Sequence, residues 1–72
     1  MRLELSDGEM LELSDHEART LYETLLQRAR HRGAISAARK LRPALAWSRG
    51  AGTKVALDRF ETQAVQSVRE DD

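Results

Sequence analysis

The chain contains no cysteine, which excludes disulfides and thiolate metal sites. It contains only two histidines, so a structural zinc site would need carboxylates to complete it. No apolar run approaches the roughly 20 residues that span a bilayer. Met1-Arg2-Leu3-Glu4 lacks the apolar centre of a signal peptide. These absences predict a cytoplasmic protein with no membrane span, no metal and no cofactor. A length of 72 residues allows one small domain, near the lower limit for a self-sufficient core. Chains this short commonly need a disulfide, a metal or association. Association alone is left open, so a homodimer is expected.

A further absence is local. From Thr24 to Leu57 there is no Asp or Glu, but there are eight Lys or Arg residues. Residues 1–23 carry a net charge of −5 and residues 58–72 a net charge of −3, so the overall neutrality hides a basic middle. Such a block attracts acidic partners through its local field. Arg outnumbers Lys ten to two, which fits either generic surface charge or a preference for bidentate contacts with phosphate or carboxylate.

Leu3-Glu4-Leu5-Ser6-Asp7 recurs as Leu11-Glu12-Leu13-Ser14-Asp15. Both copies alternate apolar and polar residues, the pattern of a half-buried strand. Asp7-Gly8 between them signals a hairpin. A three-residue loop, Ser6-Asp7-Gly8, pairs Leu3 with Leu11 and leaves Gly8 where positive φ is needed. All four leucines then share one face. A two-residue loop would pair Leu3 with Glu12 and mix the faces.

Ser14-x-x-Glu17 reads as a capping box, with Leu13 placed as a staple against Ala18. Ala18, Leu21, Tyr22, Leu25, Leu26 and Ala29 form an amphipathic stripe. The expected helix covers 15–32 and closes at Gly33. The Ala-rich segment 34–48 reads as helix with a break near Pro43, giving either a kink or two short helices at 34–41 and 43–48. Residues 49–52 read as a loop, 53–57 as a third strand, and Asp58-x-x-Glu61 as a second helix start. Phe60, Ala64, Val65 and Val68 give the last helix, 58–70, an apolar face, and a frayed tail is expected after it.

The expectation is therefore a single α+β domain over 1–72: a β-hairpin at 1–14, a helical region at 15–48, a strand and a helix. In order it is ββααβα, a small three-stranded sheet with helices packed on one face. Leu3, Leu5, Leu11, Leu13, Val55 and Leu57 should face the helices.

Arg28, Arg32, Arg39, Lys40, Arg42, Trp47 and Arg49 are the candidate partner-binding residues. Arg28 and Arg32 fall one turn apart on the expected first helix, and Arg39 and Arg42 repeat that spacing on the next. Across a helical corner they could form one patch, or they could be a solvated surface balanced by nearby carboxylates. Trp47 stands as a core or interface anchor, or as a platform for stacking on a base.

Gly33-Ala34-Ile35-Ser36-Ala37-Ala38-Arg39-Lys40-Leu41 resembles the first half of a bacterial helix-turn-helix. The resemblance implies Ser36 as N-cap, Ala38 and Leu41 as inward positions, and nucleic acid as partner. Arg42-Pro43 departs from the family's glycine turn, and a glycine loop takes much of the place of its recognition helix.

Gly50-Ala51-Gly52-Thr53-Lys54 lacks the glycine spacing of a phosphate-binding loop. His16 and His31 fall at opposite ends of one expected helix and cannot meet. No nucleophile-base set is visible, so no catalytic residue is assigned. The expected function is a small non-enzymatic regulatory or adaptor protein, binding an acidic protein partner through its basic centre. The alternative is a nucleic-acid binder using the same arginines. A third reading has the opposite charge blocks of two copies pairing with each other.

Overall fold

The computed structural model describes residues 1–47 and 53–70, with backbone alone for Trp47. Arg49, the glycine loop and the last two residues lie outside the described residues, as does the Trp47 side chain. The hairpin comprises β1 (Arg2–Glu4) and β2 (Met10–Glu12). It takes the register that gathers its leucines, with Leu3 opposite Leu11. Leu5 N–H donates to the Glu9 carbonyl at 2.8 Å, which leaves Ser6, Asp7 and Gly8 as the loop. Gly8 has φ of 91°, a left-handed conformation that glycine adopts without steric cost.

The third strand, β3 (Lys54–Ala56), lies parallel to β1 with Val55 beside Leu3. The sheet order is β2-β1-β3. Alternation then separates its two faces. Leu3, Leu5, Leu13, Val55 and Leu57 are buried, and Leu11 packs partly buried against the same core. The opposite face carries Arg2, Glu4, Met10, Glu12 and Lys54. Ion pairs cross it between Arg2 and Glu12 at 3.9 Å and between Lys54 and Glu4 at 2.5 Å.

The helices are α1 (Asp15–Gln27), α2 (Ala34–Trp47) and α3 (Arg59–Glu70). They pack against the apolar side of the sheet and against one another, completing the ββααβα order. Helix α1 buries Ala18, Leu21 and Leu25. It ends five residues short of the expected 32. Its stripe outruns the core, since Leu26 is 44 % exposed and Ala29 is exposed as well. A further turn would gain little burial, and helices in proteins depend on such packing.

Arg28 therefore caps α1, and two tight turns follow, closed by His31 N–H on Arg28 and Ala34 N–H on His31. Gly33 is not the C-cap of α1. It has φ of 86°, and a Cβ there would lie 2.5 Å from the backbone carbonyl of Phe60. Only glycine lets the start of α2 approach α3 this closely.

Helix α2 is one helix through Pro43, so the form with two short helices is not adopted. Pro43 removes the bond to the Arg39 carbonyl, but both residues are exposed and water can reach that side. The inner side is nearly all alanine: Ala34, Ala37, Ala38, Leu41 and Ala44 are buried. Small side chains let α2 pack between α1 and α3. Among the described residues no helix is long and apolar enough to cross a membrane.

Candidate functional site

The described residues of the basic block have different surroundings. Arg28 is half-buried at the end of α1, where its amide donates to Thr24. Arg32 lies in the turn after α1, with its guanidinium 3.9 Å from the centre of the Phe60 ring, a cation–π contact. The expected one-turn spacing of Arg28 and Arg32 on a helix is thus absent, because α1 has already ended.

Lys40 turns toward α3 and β3. Its ammonium donates to Glu61 at 2.5 Å and to the Ala56 carbonyl at 3.2 Å. The second contact covers a backbone acceptor on an edge strand, a lysine role that discourages unwanted strand pairing.

Glu61 is fully buried. One carboxylate oxygen receives Lys40 and the Asp58 amide, the latter at 2.8 Å; the other receives the Ser36 hydroxyl. Burial by itself pushes the Glu61 carboxyl's pKa up. The Asp58 amide, Lys40 and Ser36 outweigh that effect together, so the pKa lies below the ordinary carboxylate value. Ser36 therefore bridges to Glu61 from inside α2's first turn and is not an N-cap. Ala38 and Leu41 are buried, as the helix-turn-helix likeness implies. The same helix continues through the place where that motif would turn.

Among the described residues, the acidic ends lie against the basic middle where Lys40 meets Glu61 and Lys54 meets Glu4. These are the chain's only lysines. Arg39 and Arg42 are exposed on α2, and no ion pair joins either to a described carboxylate.

Arg42 looks the other way from Lys40, toward α1. It lines a shallow groove of about 340 Å³ between α1 and α2, with Arg19, Tyr22, Glu23, Leu45 and Ala46. Tyr22 and Leu45 pack on the core while remaining partly exposed. Leu26 lies one turn beyond Tyr22 on the same side of α1. Arg39 lies one turn before Arg42 on α2. This groove combines what the basic residues alone lack, an apolar floor flanked by Arg19 and Arg42, with Glu23 beside them.

The sequence reading missed Arg19, Tyr22, Leu26 and Leu45 as site residues. The available signal was the edge of the α1 stripe, where Tyr22 and Leu26 recur at helical spacing.

A second groove, about 320 Å³, lies between α1 and α3 and is lined in part by Leu13, Thr20, Thr24 and Arg69. Its threonine hydroxyls already donate to the His16 and Thr20 carbonyls, at 3.0 and 2.8 Å. Among the described residues no group of three His, Asp or Glu side chains is placed to hold a metal. No family model matches the chain, and no match was found among curated proteins or solved structures.

Proposed function

We propose that this is a small regulatory or adaptor protein, without catalytic activity, that binds an acidic protein partner. The binding surface is the α1–α2 groove together with Arg39 and Arg42. One observation carries the reading: partly exposed Tyr22 and Leu45 lie between Arg19 and Arg42. Exposed cations steer an acidic partner, and a desolvated apolar centre holds it. Trp47 and Arg49 stay candidates from the sequence alone, since the Trp47 side chain and Arg49 lie outside the described residues. Lys40 and Arg32 move to a structural role, since Glu61 and Phe60 engage them.

The reading takes the protein as cytoplasmic and as a homodimer, the latter from its small size and lack of disulfides. Nucleic acid is the alternative partner. It draws less support, because phosphate contacts gain nothing from an apolar floor and α2 runs unbroken where a helix-turn-helix would turn.

The test is a photo-crosslinking residue at exposed Leu26 of the full chain. The expected adduct is one acidic protein, lost in the double variant Arg39→Glu/Arg42→Glu. Undiminished crosslinking in that variant would remove this surface from consideration. A labelled DNA duplex, titrated at about 50 and 200 mM salt, checks the alternative. Tight, salt-sensitive binding there would make nucleic acid the leading partner.

A further inference from the structure

We infer that the occupant of the α1–α2 groove is an acidic amphipathic helix, an inference that rests on the partner-binding reading above. The argument begins with backbone hydrogen bonds. Both walls of the groove are helices, whose interior N–H and C=O groups are satisfied within each helix apart from the Arg39 carbonyl, which Pro43 leaves open on the exposed side of α2. The groove offers no strand edge, so an extended peptide laid in it would lose water from its backbone and gain no ladder of partners. A helix brings its own backbone bonds and needs only side-chain complementarity.

The shape agrees. Helices α1 and α2 are consecutive neighbours joined by a short turn, and residues of both line the groove. Arg19, Tyr22 and Leu26 recur along α1 at spacings that keep them on one side. Arg42 and Leu45 are neighbours along α2, with exposed Arg39 one turn before Arg42. A third helix can set its ridge of side chains into such a groove. From Arg19 to Leu26 α1 advances about 10 Å, so a partner helix of roughly three turns covers the site.

Charge then selects the partner. Arg19 and Arg42 line the groove with one carboxylate, Glu23, and exposed Arg39 lies one turn from Arg42 on α2 as Asp15 does from Arg19 on α1. The complementary helix carries an apolar stripe at i, i+3, i+4 and i+7 for Tyr22, Leu26 and Leu45, with acids on both flanks. A groove of about 340 Å³ is at the lower end of the roughly 300–1,000 Å³ of small-molecule sites, and suits anchor side chains better than a cofactor. A helix this short is marginal alone in water, so it orders as it binds.

The probe is a labelled acidic peptide of about 14 residues, with leucines at helical spacing and glutamates on either side. Its control has the same length and charge, with two prolines that forbid a helix. Anisotropy gives affinity, far-ultraviolet circular dichroism gives helicity, and amide shifts of the protein locate the contact. The expected result is binding with a gain in helicity, shifts at Tyr22, Leu26, Leu45 and Ala46, and about tenfold weaker binding by the proline control. The variant Leu26→Glu, at an exposed position that leaves the core intact, should weaken the helical probe by about tenfold through repulsion. Equal binding by the proline control would overturn the helix while leaving an acidic partner standing. Absence of groove shifts with either peptide would overturn the helix too, and the Leu26 crosslink would then decide the partner-binding reading separately.

Discussion

Ser14 and Asp58 start their helices by the same local device, yet the glutamates three residues on occupy opposite surroundings. Both capping boxes are complete. The Ser14 hydroxyl accepts from the Glu17 amide at 3.1 Å, and the Glu17 carboxylate accepts from the Ser14 amide at 3.0 Å. Asp58 and Glu61 exchange the equivalent bonds at 2.8 Å each. Glu17 remains exposed, and its pKa is lowered chiefly by the amide and hydroxyl of Ser14. Glu61 is fully buried and gathers Lys40 and Ser36 from α2 in addition. The motif specifies where a helix begins; what its glutamate does next depends on whether another element covers it.

The sharpest way to break this comparison is Lys40→Met, which leaves the Glu61 carboxylate without its cation. Breaking fully buried pairs costs about 3–5 kcal/mol. Lys40 retains 42 % exposure, so water softens the loss and about 2–3 kcal/mol is expected in urea unfolding. Adding Glu61→Gln should recover part of it, because the two sites are directly coupled. A loss no larger than an ordinary surface substitution would mean that Glu61 is merely a cap, like Glu17.

A smaller effect is expected from Ser14→Ala at the exposed box. Loss of an N-cap hydroxyl costs about 1 kcal/mol, and unfolding midpoints should report it. A loss matching that of Lys40→Met would erase the difference between the two boxes.

The subtlest contrast is in acid. Both glutamates have folded pKa values below the ordinary 4.5. Below that value the unfolded chain binds more protons, so each carboxylate contributes stability that is present above pH 4.5 and lost as pH falls through its folded pKa. Glu61→Gln should flatten the acid limb of stability against pH. Glu17→Gln should leave most of that limb in place, since solvent screens its contacts. Urea midpoints taken across the acid range for the two variants check this, and equal flattening would contradict it.

The local grammar of the fold was legible in the sequence. Repeated leucines set the hairpin register, Gly8 marked its loop, and Ser14 and Asp58 marked two helix starts. Each of these depends on residues close in the chain. The end of α1 was not legible, because the stripe continues to Ala29 while the core stops at Leu25. The reach of α2 through Pro43 depends on which side of the helix faces water, which spacing alone leaves open. The division of the basic block was hidden for a related reason. Its residues are neighbours in sequence, but Lys40 and Arg42 leave α2 on opposite flanks, one toward Glu61 and the other toward Tyr22. The half of the candidate groove supplied by Arg19 and Tyr22 lay outside the block altogether.

The Lys40–Glu61 pair has a consequence for how α2 finds its place. An alanine-rich surface is smooth, and one turn of such a helix packs much like the next. A slide of one turn, about 5.4 Å, would bring Ser36 or Ala44 to the place of Lys40. The carboxylate would then be enclosed beside a hydroxyl or a methyl group, with no cation to answer it. The pair would then serve as a key for register, since each misplaced seating of α2 would leave the buried carboxylate without its cation.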